Sequence, residues 1–243
     1  MAIDHAMFDL AEESGAHLWR LYRWSPFCLS FGRHEPAARR YDRDRIVAAG
    51  TDCVRRPTGG RAVWHAREAT YAVAAPLAPY GSLRSAYRTI HASLAEAVAS
   101  LGAAATLAGD RATPGVGTGP CFAVPVGGEI VVAGRKVVGS AQRRGNAALL
   151  QHGSILLEDD QSFVFALQRP RDGAPPAPAT SPEAPLTAVL GRPIAFAEAA
   201  AAVAAVLASA GQPSLGTEPP NEVLRRAERH YDSYRSATWT WER

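Results

Sequence analysis

Four short segments of this chain combine residue types that can do chemistry. The first is Arg55-Arg56-Pro57-Thr58-Gly59-Gly60-Arg61-Ala62-Val63-Trp64-His65. Adjacent glycines let a backbone pass close to a ligand and present N–H groups to an anion or carbonyl, and flanking guanidiniums suit a phosphate. An ordinary hairpin turn with exposed arginines accounts for the same residues. The spacing is not that of a Walker loop. The second segment, Gly134-Arg135-Lys136-Val137-Val138-Gly139-Ser140-Ala141-Gln142-Arg143, holds the single lysine among 26 basic residues. A compact ammonium there serves either as a cation beside a reacting carbonyl, thiol or phosphate, or as a solvated amine. Gly139, Ser140 and Ala141 are small enough to leave room for a ligand.

The third is Cys121, which follows a stretch rich in Gly, Pro and Thr at 112–120. With a neighbouring ammonium it becomes a thiolate nucleophile; otherwise it is a small apolar residue. A chain folding back through a hairpin would bring Lys136 to it. Cys28 and Cys53 lie in apolar strand patterns and read as core thiols. The fourth is Gln151-His152-Gly153-Ser154. Its imidazole is either a base or orienting group, or a hydrogen-bonded core histidine, and His65 carries the same ambiguity.

These segments need elements to position them. Apolar periodicity predicts a helix over residues 2–14 and a longer one over 82–101. Strands are expected at 18–24 and 27–31 about a Ser25-Pro26 turn, at 53–56, 62–64, 70–75 and 149–157. A tight turn at Gly134-Arg135 makes 129–138 a hairpin. Helices are expected at 41–49, ending at Gly50, and at 196–210 and 221–231; residues 170–185 form a Pro-rich loop. The last eight residues, Ser236 to Arg243, read as an edge strand. The pattern is α+β: a central mixed or antiparallel sheet with helices packed on it, expected on one side.

A chain of 243 residues, 47% of them hydrophobic, can bury one core, which excludes a disulfide mini-protein, a collagen or a disordered tail. It reads as a single domain over 1–243, with a helical part from 186 onward. The uncharged stretches are rich in Ala, Gly and Pro, so no membrane span is expected. Neither a signal peptide nor a cysteine pattern for disulfides is evident, and the protein reads as cytoplasmic. A net charge of +3 gives no support to nucleic-acid binding. The local cluster Arg39, Arg40, Arg43 and Arg45 reads as a solvated helix face, with docking of an acidic protein as its alternative.

In this order, the segments resemble the lipoate/octanoate transferase and ligase family, which shares a core with biotin protein ligases. Arg-Arg-Pro-Thr-Gly-Gly-Arg-Ala-Val-Trp-His is similar to the family's Arg-Arg-x-Thr/Ser-Gly-Gly-Gly-Ala-Val-x-His signature. Gly-Arg-Lys-Val-Val-Gly-Ser-Ala-Gln resembles its lysine motif, and Gln-His-Gly-Ser-Ile-Leu-Leu its His-Gly motif. Met1-Ala-Ile-Asp4 and Tyr22-Arg-Trp-Ser-Pro26 match its opening. The resemblance runs from residue 1 to about 165. Within the family, three features resemble the cysteine-dependent octanoyltransferases that look like lipoate–protein ligase A. Cys121-Phe122 lies fifteen positions before Lys136, Arg61 replaces the third glycine, and only about 60 residues follow the Pro-rich loop, too few for a separate accessory domain.

The resemblance implies that Cys121 carries an octanoyl group as a thioester and that Lys136 lowers its pKa and polarises the acyl carbonyl. It implies a substrate slot built from Arg56, Thr58, Gly59, Gly60, Arg61, Ala62, Val63, Trp64 and His65, from Gly139, Ser140 and Ala141, and from His152, Gly153 and Ser154. The donor would be octanoyl-acyl carrier protein. The acceptor would be a lipoyl-domain lysine, in glycine cleavage H protein or an E2 subunit. No cofactor or metal is needed for that reaction. The alternatives are an ATP- and Mg-dependent lipoate–protein ligase in which Cys121 is a bystander, an octanoyl amidotransferase between lipoyl domains, and a catalytically idle binding module.

Overall fold

The computed structural model describes residues 1–109, 128–170, 183–212 and 218–242. Its frame is a six-stranded antiparallel sheet ordered β1–β5–β9–β8–β7–β6, where β1 is Leu18–Tyr22, β5 Glu68–Pro76, β6 Ala105–Leu107, β7 Ile130–Val132, β8 Arg135–Arg144 and β9 Ala148–Leu156. A three-stranded sheet, β3–β2–β4, lies beside it, with β2 Cys28–Phe31, β3 Asp52–Arg55 and β4 Val63–His65. In it β2 runs parallel to β3 and antiparallel to β4. The two strands expected on either side of Ser25-Pro26 exist but do not form a hairpin. They belong to different sheets, and the cis Ser25-Pro26 bond lies where the chain crosses between them.

Side chains alternate across the large sheet, and both faces are covered by helices. Tyr71, Val73 and Ala75 of β5 face the core shared with α4 (Leu83–Ser100) and α7 (Phe196–Ser209). Ala72 and Ala74 face the opposite core, under α1 (Ala2–Ser14) and α8 (Asn221–Arg235). The expectation of helices on one side is therefore corrected. β5 and β9 are buried at nearly every position, and a strand buried on both faces needs a layer on each.

The helices form where the periodicity placed them. α4 starts at Ser82, whose side chain accepts from Ser85 N–H, and buries Ile90, Leu94 and Ala97. α1 ends at Gly15, which takes the left-handed conformation of a C′ residue. The β7–β8 turn is Ala133-Gly134, both at positive φ, the geometry favoured in two-residue hairpins. The region near residue 40 divides into α2 (Ala37–Arg40) and α3 (Arg43–Ala48). Arg39, Arg43 and Arg45 are exposed there, while Arg40 pairs with Glu35. Short helices α5 (Phe163–Ala166) and α6 (Leu186–Leu190) flank residues outside the described set.

The C-terminal segment is not an edge strand. Ala237–Trp241 is a helix, α9, capped by the Ser236 side chain. Its Trp-Thr-Trp alternation has strand character, but the tertiary setting overrides it. Arg55 binds the carbonyls of Trp239 and Thr240, and Trp241 is buried in the third core cluster with Phe31 and Tyr41.

Candidate functional site

A cavity opens where the two sheets meet. Strand β8 supplies Gly139, Ser140 and Ala141 to its wall, and β9 supplies His152, Gly153 and Ser154. Across from them stand Arg56, Val63 and His65 of the small sheet and its turn. Met1, Tyr22 and Thr70 complete the lining. Three sequence motifs far apart in the chain thus converge on one space. Other residues of the same motifs lie outside the lining. Ala62 and Trp64 are buried in the third core cluster, because alternation along β4 turns Val63 and His65 inward and Trp64 away.

The Gly-Gly turn is held by close packing and by Arg56. A side chain on Gly32 would overlap the Gly60 carbonyl, so that glycine is what lets the turn lie against the end of β2. The Arg56 guanidinium donates to Ser30 O and Oγ at 3.0 and 2.6 Å, and to the carbonyls of Gly59 and Arg61 at 3.1 and 2.7 Å. Arg55 is fully buried and donates to five backbone carbonyls, at Gly32, Arg33, Glu35, Trp239 and Thr240. The sequence left open whether these arginines hold a phosphate or are exposed residues of a turn. Both are buried and direct donors into the protein's own backbone, and Arg56 also lines the cavity.

Two polar clusters back the cavity. In one, His152 Nε2 lies 2.5 Å from Thr58 Oγ1, and its Nδ1 lies 3.4 Å from Asp4 Oδ2. Asp4 also accepts from Arg20 at 2.6 Å and Tyr22 at 2.9 Å. Burial opposes ionisation of Asp4, yet the N-terminal ammonium, His152 and Arg20 together hold its carboxyl well below the usual range. Burial lowers the His152 pKa, against the pull of Asp4. In the other cluster, His65 Nδ1 donates to Glu68 Oε1 at 2.6 Å, and the same oxygen accepts from Thr70 and Ser154 at 2.5 and 2.9 Å. Ser30 lies 2.5 Å from His65 Nε2, and the Trp24 ring stacks on the imidazole.

Lys136 is buried, with Nζ 2.5 Å from Glu129 Oε1, and does not line the cavity. Cys121 and Phe122 lie outside the described residues. Cys28 is a buried free thiol as expected; Cys53 is free and half-buried, its pKa pushed up to about 11 mainly by burial.

Sequence reading missed Ser30, Glu68, Thr70, His91 and Glu129. Glu68 had a signal, since it follows His65 by three positions across a strand turn. His91 had none, because a histidine beside Ile90 on an apolar helix face reads as core.

One further cluster, His5, Asp9 and His230, brings three ligand-type groups within 4.8 Å of one another. The two imidazoles stack 3.9 Å apart at 11°, so their in-plane lone pairs run parallel rather than converging, and Arg143 donates to His5 Nε2. That geometry does not suit a metal ion. No described helix is long and apolar enough to cross a membrane.

The double-sheet frame with its interfacial cavity is the fold of the lipoate-protein ligases. A solved lipoate-protein ligase A with bound ATP is 19% identical at a TM-score of 0.79, covering 98% of this chain and 91% of that one. The bipartite lipoate protein ligase of Thermoplasma acidophilum is 19% identical at 0.77, covering 99% and 89%. The description "Lipoyl protein ligase A/B catalytic domain" matches residues 1–208, and the chain belongs to that family. It is 39% identical to "Octanoyltransferase LipM" of Symbiobacterium thermophilum, over 94% of this chain and 86% of that protein. It is 41% identical to the LipM of Kyrpidia tusciae, over 70% of this chain and 65% of that protein's length. The chain is an enzyme of the acyltransferase class that these relatives share.

Proposed function

We propose that this protein is an octanoyltransferase of protein lipoylation that works as one catalytic domain over 1–243 in the cytoplasm. It moves octanoyl from octanoyl-acyl carrier protein to the lysine of a lipoyl domain, in glycine cleavage H protein or an E2 subunit. The 39% identity to a LipM protein over nearly the whole chain carries this reading. The interfacial cavity supports it, because glycine and alanine on β8 and β9 leave a slot suited to an unbranched acyl chain.

In this reading the Cys121 thiolate attacks the donor thioester. The new C–S bond forms, the carrier thiolate leaves, and an octanoyl-enzyme results. The neutral amine of the acceptor lysine then attacks the same carbonyl; the C–N bond forms, Cys121 thiolate leaves, and the amine proton goes to solvent or sulfur. One thioester is exchanged for another, and amide formation drives the second step, so neither ATP nor a metal is required. Lys136 favours the thiolate and the developing oxyanion. Arg56 and Thr58 hold the turn and the His152 wall of the slot.

The test supplies a lipoyl domain and octanoyl-acyl carrier protein without ATP. Octanoylation of the domain lysine supports the proposal. Octanoylation that appears only with free octanoate, ATP and Mg makes the protein a ligase.

A further inference from the structure

On the α4 side of the large sheet, behind the cavity wall, His91 joins two hydrogen-bonded arms. Its Nδ1 lies 2.7 Å from the Gly128 carbonyl oxygen, and its Nε2 lies 2.7 Å from Ser140 Oγ. A carbonyl only accepts, so Nδ1 carries the proton and Nε2 must accept from the serine. Ser140 then accepts from Tyr71 O–H at 2.5 Å, and Tyr71 accepts from Gln151 Nε2 at 2.8 Å. Gln151 in turn accepts from Gln142 at 2.9 Å. Tyr71 Oη also lies 3.4 Å from His91 Nε2, and the imidazole is wholly buried.

The other arm leads to the lysine. Gly128 and Glu129 are clasped to the end of β6, with Gly128 N–H donating to Ala108 O at 2.8 Å and Ala108 N–H to Glu129 O at 2.7 Å. The Glu129 carboxylate holds Lys136 Nζ. The path from His91 through Gly128 and Glu129 to the ammonium is continuous. We propose that His91 is a positioning residue that sets Lys136 through Gly128 and Glu129, and that the Ser140–Tyr71 arm serves mainly to satisfy its other nitrogen. This rests on the reading in which Lys136 assists acyl transfer to Cys121.

A histidine that only satisfies a core would show the same burial, so the test separates the arms. Asparagine places an amide near Nδ1 and keeps the Gly128 bond; glutamine places one near Nε2 and keeps the Ser140 bond. The full chain is mixed with octanoyl-acyl carrier protein in a single turnover. The rate of octanoyl-enzyme formation, the donor KM and the thermal midpoint are measured for His91→Asn, His91→Gln and Tyr71→Phe. The expected result is that His91→Gln slows acylation about 10- to 100-fold with donor KM within about twofold, while His91→Asn stays within about threefold of wild type. Tyr71→Phe, which removes the hydroxyl from Ser140, Gln151 and the Nε2 side of His91 but leaves the Gly128 bond, should behave like His91→Asn. Equal rates for Asn and Gln, Tyr71→Phe as slow as His91→Gln, or losses that only follow the thermal midpoint would overturn the proposal. If Cys121→Ser still forms the octanoyl-enzyme, the underlying reading fails instead, and the ordering of the His91 variants is a separate result.

Discussion

Thr58 Oγ1 and His152 Nε2 meet at 2.5 Å, closing a contact between residues 94 positions apart. The contact joins the Gly-Gly turn of the small sheet to strand β9 of the large one, so the cavity has a single continuous wall. Both residues are buried. Thr58→Val keeps the volume and removes the partner, leaving a buried imidazole nitrogen unsatisfied. The cost expected is about 1–3 kcal/mol. Urea denaturation should show that loss, and the donor KM should rise because the wall loosens. Unchanged stability and KM would mean that the sheets are held elsewhere.

Gly153 presents the opposite face of the same strand. A methyl group there would overlap the Gly139 carbonyl and come within 2.5 Å of Ser140 Oγ and 2.9 Å of Tyr71 Cε1. Gly153→Ala must push β8 and β9 apart, at a cost of about 1–3 kcal/mol. A lower thermal midpoint with slower acyl transfer is expected; a wild-type midpoint would contradict the packing.

Arg55 ties α9 to the loop after β2 through five carbonyls. Arg55→Met leaves those acceptors without their charged donor and should cost about 3–5 kcal/mol. Amide hydrogen exchange over Ala237–Trp241 should quicken more than exchange in α4. Uniform quickening would show that α9 is not a separately anchored element.

His91 also predicts a pH dependence of stability. Burial, opposed by the Gly128 bond and aided by Lys136, lowers its pKa to about 4 from an ordinary 6.5. Its contribution is therefore complete above the unfolded value near 6.5 and is lost as pH falls toward 4, because the unfolded chain takes up the proton first. That loss amounts to about 3 kcal/mol over the interval. His5 and His152 also have lowered pKa values and add to the fall. His91→Asn should lose less stability than wild type between pH 7 and 4.5 in matched denaturation series. Parallel curves would refute the assignment.

Much of the frame was legible in the sequence, since it rests on local periodicity. α1, α4, α7 and the β7–β8 hairpin have strong patterns and clear end signals, and they form close to where these place them. The errors arise from long-range context. Ser25-Pro26 looks like a hairpin turn but carries the chain between sheets. The Trp239/Trp241 alternation looks like a strand until Arg55 takes its carbonyls. Both faces of β5 are apolar, which foretold two helical layers though one was expected. Within the site, the motif residues converge, but their roles divide by side-chain direction. Val63 and His65 reach the cavity and Trp64 does not. Arg55 and Arg56 bind backbone, which no local pattern announces. The network around His91 depends on side chains from α4, β5, β8 and β9, and spacing within any one of them is silent about it.

The central claim is that octanoyl passes through Cys121. The most direct measurement is the intact mass of wild type and Cys121→Ser after mixing with octanoyl-acyl carrier protein in the absence of ATP. An octanoyl adduct is expected on wild type, discharged by an added lipoyl domain, and no adduct on Cys121→Ser. An adduct of equal yield on the serine variant, or full octanoylation of the lipoyl domain by that variant, would contradict it.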